Sequence, residues 1–190
     1  MRESNRGYTL VELIVSVAIL GILVAAVGAF AVSGSRAYAS VSAGVDLQVE
    51  SQTAMNFVRE YAVDCSDGVC VGADGTLYLL CSGGEEQEGG GVAVVYTEHI
   101  FQRTDEGLIY TVQHFAVDGK PAARESGTVS GSVTAFAAEL PAGQRAASVT
   151  VTMELARRGK TYTGTETLAL RNMPQGYASE ADLLAAIPTT

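Results

Sequence analysis

Hydrophobic residues form one long stretch near the start of the chain. From Leu13 to Val32, all twenty residues are apolar apart from Ser16 and two glycines. At a rise of about 1.5 Å per residue, a helix of this length spans the roughly 30 Å hydrocarbon core of a membrane. A secretory signal peptide has only about 7–15 such residues, so the stretch predicts a membrane-spanning helix. Small residues that would allow close helix packing recur every fourth position, at Gly21, Ala25, Ala29 and Ser33.

A helical pattern continues beyond the apolar stretch. A stripe of mostly hydrophobic residues with a four-residue period runs through Val41, Val45, Val49, Thr53, Phe57 and Tyr61. Charged residues such as Asp46 and Glu50 lie off this stripe. The pattern predicts one continuous helix that extends to about residue 61. Its amphipathic second half is expected to pack on a head domain.

After the helix, short alternating segments separated by glycine-rich turns predict a β-rich head. We expect strands at residues 76–82, 92–99, 107–117 and 128–140, and loops at residues 83–91 and 118–127. The clearest hairpin covers residues 147–170 and turns near Arg158 and Gly159. The segment 179–188 is expected either to add a short helix or to stay loose.

The chain beyond the apolar stretch is acidic. From Ser33 onward there are ten Lys and Arg residues against nineteen Asp and Glu residues, and the formal net charge of the 190-residue chain is −9. An acidic surface repels the phosphates of DNA and RNA. We therefore expect no direct nucleic-acid binding by the head alone.

The three cysteines, Cys65, Cys70 and Cys81, lie within one short region. In an exported head they are candidates for one disulfide and one free thiol. Free buried thiols are an alternative. A metal site is a third interpretation, although His99 and His114 lie distant in sequence without a recognised metal-binding spacing. The sequence does not decide which two cysteines would pair.

Motifs for catalysis are absent from the sequence. The segment 157–161 ends in Gly-Lys-Thr, as phosphate-binding loops do, but Glu154 occupies the place of the first glycine that the motif needs. No Gly-x-Ser-x-Gly elbow occurs. The glutamates of residues 83–91 lack the spacing of a calcium loop. We expect a protein that is not an enzyme and that needs no cofactor.

One carboxylate, Glu12, lies at the beginning of the apolar region, where an unpaired charge in lipid is costly. Arg2 and Arg6 precede the region and only Arg36 follows closely, which favours a cytoplasmic N-terminus and a head outside the cytoplasmic membrane. An unpaired Glu12 could also reach the membrane interface by extending its side chain towards the helix start.

The stretch RGYTLVELIVSVAILGILVA, residues 6–25, resembles the N-terminal signature of type IV prepilins and the related pseudopilins. In that signature a short basic leader and a glycine precede an aromatic residue, Thr-Leu-x-Glu and a long apolar helix. The resemblance implies cleavage by a prepilin peptidase between Gly7 and Tyr8, and N-methylation of Tyr8. Tyr8 is a departure from the usual Phe. The implied fold is α+β, with a long N-terminal helix packed on an antiparallel β-sheet head.

The same resemblance suggests a role for Glu12 in assembly. After cleavage, Tyr8 would carry a positive α-amino group, and Tyr8 and Glu12 lie four residues apart on one helix face. In a bundle of such helices, Glu12 could neutralise the amine of its own or a neighbouring subunit. Subunits out of register would leave both charges unpaired.

Two further stretches, residues 46–61 and 168–173, are similar to minor pilins and pseudopilins of the PulJ- and PilW-like class. The apolar stretch also lacks the proline common in major pilins. The expected organisation is a leader (1–7), a transmembrane or filament-core helix (8–32), its amphipathic continuation (33–62), a β-rich head (63–175) and a C-terminal tail (176–190).

Three classes of function fit these features. The first is a structural, minor subunit of a type IV pilus or of a type II secretion or competence pseudopilus. Its implied partners are other pilin or pseudopilin subunits, the prepilin peptidase and an inner-membrane assembly platform. The second is a membrane-anchored extracellular binding module, and the third is an anchored enzyme. Neighbouring genes for an assembly ATPase, a platform protein and a prepilin peptidase would distinguish the first class from the other two.

Overall fold

The computed structural model describes residues 9–86 and 90–188. Within them, helix α1 spans Leu10–Asp64 and helix α2 spans Glu180–Leu184. The strands are β1 Gly68–Val71, β2 Leu77–Glu86, β3 Val92–Thr104, β4 Gly107–Phe115, β5 Pro121–Ser130, β6 Val133–Glu139, β7 Ser148–Arg157, β8 Lys160–Ala169 and β9 Gln175–Tyr177. The α+β fold expected from the sequence, a long N-terminal helix packed on an antiparallel-rich sheet domain, is confirmed.

The chain divides into two units after Ser42. In the described part of the first unit, α1 is a helix whose side chains are exposed from Leu10 to Val41. The second unit begins at Ala43 and contains the rest of α1 together with all the strands and α2.

Within the second unit, α1 buries a face rich in small residues. The buried residues are Ala43, Leu47, Ser51, Ala54, Met55, Val58 and Ala62. The predicted stripe was wrong for four of its six members, which are exposed: Val41, Val45, Val49 and Thr53. A strict four-residue period drifts around a helix of 3.6 residues per turn, so it cannot follow one buried face over six positions. Alanine and serine, which the stripe ignored, allow the helix to lie close to the strands.

The strands form two sheets. One has six strands in the order β5-β4-β3-β2-β1-β9, and the other has three in the order β6-β7-β8. The short pair β1 and β9 is parallel, and the other pairs are antiparallel. The predicted hairpin is confirmed as β7 and β8. Its turn residues Arg158 and Gly159 have φ angles of 50° and 73°, as a tight hairpin turn requires.

One strand prediction and two loop predictions need correction. The predicted loop 118–127 is mostly strand β5, an exposed edge strand without hydrophobic alternation. The predicted strand 128–140 is two strands, because the chain turns between Ser130 and Val133 and continues in the other sheet. The predicted loop 83–91 begins as strand, since β2 continues to Glu86 and pairs with the start of β3.

Two hydrophobic clusters hold the second unit together. The larger one joins α1 to both sheets, with Leu47, Val58, Phe101, Met153 and Leu168 among its members. The smaller one packs α2 against the six-stranded sheet. The C-terminal segment 179–188 therefore contains the short helix, and Ser179 caps it by accepting a hydrogen bond from the Asp182 N–H at 3.2 Å.

Candidate functional site

The candidate site is the beginning of α1, where Thr9 and Glu12 form a capping box. The Thr9 N–H and the Thr9 hydroxyl donate to Glu12 Oε2, at 3.1 and 3.0 Å. In return, the Glu12 N–H donates to Thr9 Oγ1 at 3.3 Å. The first turn of a helix has N–H groups without partners in the helix, and this reciprocal arrangement satisfies two of them.

This capping role of Glu12 was not predicted from the sequence. The pattern Thr-Leu-Val-Glu is a Ser/Thr-x-x-Glu capping sequence directly before an apolar run, so the signal was present. Among the described residues, both side-chain contacts of Glu12 use Oε2. The predicted pairing of Glu12 with the Tyr8 amine stays a prediction, because Gly7 and Tyr8 lie outside the described residues.

After its first turn, α1 presents apolar side chains all around its axis. Leu10, Ile14, Leu23 and Phe30 are each more than half exposed. A Cβ added at Gly21 would meet no atom within 4 Å. By length and composition, α1 is a helix within the described chain that could cross a membrane. Exposed apolar surface on this scale marks a segment made for lipid or for other proteins.

A comparison with known protein families identifies this segment. Residues 2–28 match the family model described as the prokaryotic N-terminal methylation motif. The chain carries the N-terminal signature of type IV prepilins and pseudopilins. The motif and the apolar helix make the start of the chain similar to that of type IV pilin-like proteins, and they suggest that the chain is anchored in a membrane. We found no match among curated proteins or solved structures.

In the second unit, Glu50 connects α1 to the strands. Its two carboxylate oxygens accept from the hydroxyls of Ser130 and Ser132, at 2.7 and 3.1 Å. Arg157 forms an ion pair with the same carboxylate at 3.1 Å. One half-buried side chain therefore fixes the helix to the β5–β6 turn and to β7.

Aromatic residues make a second connection between α1 and the six-stranded sheet. Phe57 and Tyr61 pack on Phe101 and Tyr110, with ring centroids 4.9 to 6.1 Å apart. His99 lies against Tyr61 at 4.6 Å, and its Nδ1 hydrogen-bonds with the Tyr110 hydroxyl at 2.8 Å. His99 therefore takes part in the packing of α1 against the six-stranded sheet.

The three cysteines are free thiols in the structure, and Cys70 lies apart from the other two. Cys65 and Cys70 are fully buried, and Cys81 is partly exposed. Cys65 belongs to the larger hydrophobic cluster, against which Cys81 packs, whereas Cys70 belongs to the smaller one. Burial raises the pKa of Cys70 to about 12.

The head also has a polar groove between α1 and β8, with a volume of about 590 Å³. Arg59 and Glu166 form an ion pair across it. Among the described residues, no group of three or more His, Cys, Asp and Glu side chains is arranged to hold a metal ion. The groove carries no arrangement of groups that assigns a reaction.

Proposed function

We propose that the chain is a structural subunit, of the minor class, in a type IV pilus or in a type II secretion or competence pseudopilus. The observation that carries this proposal is the methylation motif over residues 2–28 leading into an apolar helix exposed on every side. Such a helix needs lipid before assembly and the helices of other subunits afterwards. In this proposal the head is non-catalytic and binds no nucleic acid, in keeping with its acidic composition.

The proposed route begins in the cytoplasmic membrane. Arg2 and Arg6 stay on the cytoplasmic side and the head lies outside, because positive residues near a span resist translocation. A prepilin peptidase cuts after Gly7, and Tyr8 becomes the methylated first residue. The assembly platform then moves the helix from lipid into a filament of pilin-like subunits.

Processing between Gly7 and Tyr8 tests this proposal. Intact-mass analysis of protein purified from its native membrane should give a chain that begins at methylated Tyr8. Gly7→Leu should leave the precursor uncut, because the peptidase must accommodate the residue before the cut. Gly21→Leu is the matched control, since a Cβ there meets open space; it should be cut normally.

Two results would contradict the proposal. One is a mature chain that begins near Val32, as a signal peptidase would leave it. The other is retention of Met1 in cells whose prepilin peptidase processes another substrate normally.

A further inference from the structure

The fold brings two of the three cysteines together, although fifteen residues separate them in sequence. Cys65 directly follows the last residue of α1, and Cys81 lies in β2. The Cys65 thiol is 3.2 Å from the Gly68 carbonyl oxygen and 3.5 Å from that of Leu80, the neighbour of Cys81. The Cys81 side chain packs against the cluster that contains Cys65, together with Leu77 and Leu79 of the same strand.

Cys70 is excluded from this pair by the sheet. It lies on β1 opposite Tyr78 of β2, and its side chain packs in the smaller cluster with Leu183 and Ile187. Cys65 belongs to the larger cluster, and Cys81 packs against that cluster. A disulfide that includes Cys70 would require the strands to move, because disulfide geometry tolerates little deviation.

The surroundings give the paired thiols different reactivity. The neighbouring Cys65 thiol, and then the His99 imidazole, lower the pKa of Cys81, against the opposing effect of burial. The Cys81 side chain and burial raise the pKa of Cys65. Cys81 is also the more exposed of the two. The thiolate is the nucleophile in disulfide exchange, so Cys81 is placed to react first.

We propose that Cys65 and Cys81 form a disulfide in the head after export, by exchange with a protein or small-molecule disulfide of the cell envelope. This inference rests on the proposed function for the export of the head. The bond would join the end of α1 to β2. It would therefore fix the end of this helix to the six-stranded sheet.

The exchange balances in two steps. The Cys81 thiolate attacks one sulfur of the donor disulfide, forms a mixed disulfide and releases the first donor thiolate. Cys65 then loses its proton and attacks the Cys81 sulfur, which releases the second donor thiolate. The two protons from the cysteines end on the two donor thiolates, so the two cysteines are oxidised and the donor disulfide is reduced to two thiols.

The test uses the full-length protein, purified in detergent, reduced, and then equilibrated with oxidised and reduced glutathione. Free thiols are blocked by alkylation before digestion. Trypsin cannot separate the cysteines, because no Lys or Arg lies between Arg59 and Arg103. A protease that cuts at aspartate can, since Asp67 and Asp74 lie between successive cysteines.

We expect the mass of the protein to fall by two hydrogen atoms, with the Cys65 and Cys81 peptides linked and Cys70 alkylated only after unfolding. Cys70→Ala, the matched control, should close the same bond. Oxidation of Cys65→Ala should stop at a glutathione adduct on Cys81. Cys81→Ala should form no intramolecular disulfide. In the reduced wild type, Cys81 should be alkylated at least about ten times faster than Cys70 at neutral pH.

A bond to Cys70, or a wild-type protein that keeps all three thiols in oxidising buffer, would overturn the proposal. The wild-type mapping does not depend on any variant folding. The same mapping on protein taken rapidly from alkylated cells separates the two proposals. If the Cys65–Cys81 bond forms in glutathione buffer but both thiols are free in cells, the result counts against export of the head and so against the disulfide in the cell. Processing at Tyr8 is measured independently.

Discussion

At the residue scale, Glu98 is the least expected group in the head. It lies on β3 between Leu80 of β2 and Gln113 of β4, and it is only 2% exposed. Its Oε1 has no hydrogen-bond partner among the described residues. Burial, and then the charge of Glu180, raise the pKa of Glu98 from 4.5 to about 7, and Arg124 opposes them only partly.

This carboxyl group should make the stability of the head fall as the pH rises. A raised pKa in the folded state means that the folded protein binds the proton more tightly than the unfolded chain. The stabilisation is complete below about pH 4.5 and is lost as the pH rises to about 7. The free energy of unfolding should differ between the two pH limits by at most about 3 kcal/mol, at 1.36 kcal/mol per pKa unit.

Glu98→Gln tests this prediction, because an amide resembles the protonated carboxyl group and does not titrate. Chemical unfolding at pH 5 and at pH 8 should show a smaller loss of stability in the variant than in the wild type. Glu139→Gln changes an exposed strand residue and should leave the wild-type difference intact. Equal pH dependence in the wild type and Glu98→Gln would show that Glu98 does not carry the effect.

At the element scale, the second half of α1 is fixed to the head by few polar contacts. Glu50 is the main one, with two hydroxyl donors and the Arg157 guanidinium on one carboxylate. Hydrogen bonds to a charged group are worth about 1.5–3 kcal/mol each when the partner would otherwise be left without one. Loss of this carboxylate should therefore loosen the helix from β7 and from the β5–β6 turn.

We expect Glu50→Ala to lower the stability of the head by about 2 kcal/mol. For a chain of this size, that corresponds to a fall in Tm of roughly 4–8 °C. Thermal unfolding of the full-length protein in detergent measures it. Glu60→Ala, an exposed position on the same helix, should change Tm by less than about 2 °C. Similar effects of the two substitutions would contradict an anchoring role for Glu50.

The elements that could be predicted are those with a strong local signal. The long helix and the β7–β8 hairpin depend on neighbours in sequence, so periodicity and a tight turn were sufficient. β5 has Pro, Gly and charged residues at exposed positions, and only its pairing with β4 makes it a strand. β9 has three residues and pairs in parallel with distant β1, which local pattern cannot reveal.

In the candidate site, too, the features with a local sequence signal could be predicted and those that depend on tertiary structure could not. The motif around Glu12 is contiguous and was visible in the sequence, including the capping pattern with Thr9 that was not recognised. The proximity of Cys65 to Cys81 depends on where α1 ends and on the register of β2. The effect of His99 on the pKa of Cys81 depends further on the position of β3. These relations arise from tertiary structure, so the sequence left the cysteine pairing open.

At the scale of the whole molecule, the two units differ in the chemical character of their residues. The first is an exposed apolar helix in its described part, and the second has its own core and an acidic composition. The sequence predicts that Glu12 neutralises the Tyr8 amine of its own or a neighbouring subunit during assembly. The capping box gives Glu12 a second, intramolecular role, and the two roles respond differently to substitution.

Glu12→Gln and Glu12→Ala separate these roles. Glutamine can accept from the Thr9 N–H as glutamate does, so Glu12→Gln keeps the cap and removes only the charge. Glu12→Ala removes both and frays the first helical turn. If the carboxylate pairs with the Tyr8 amine of a neighbour, both variants should be inserted and cleaved, and both should enter the filament at least about tenfold less than the wild type, since a buried amine would lose its counter-charge. The measurement is the ratio of filament-associated to membrane-held subunit at matched expression.

The comparison between the two variants decides which role controls assembly. Ser16→Ala is the matched control, because it removes the Ser16 hydroxyl bond to the Glu12 carbonyl oxygen, 2.7 Å long, and leaves the carboxylate in place. It should assemble like the wild type. A loss in Glu12→Ala with normal assembly of Glu12→Gln would assign the effect to the helix cap. Normal assembly of both variants would remove Glu12 from the assembly step, and reduced membrane insertion without a change in the ratio would place its role at the membrane interface.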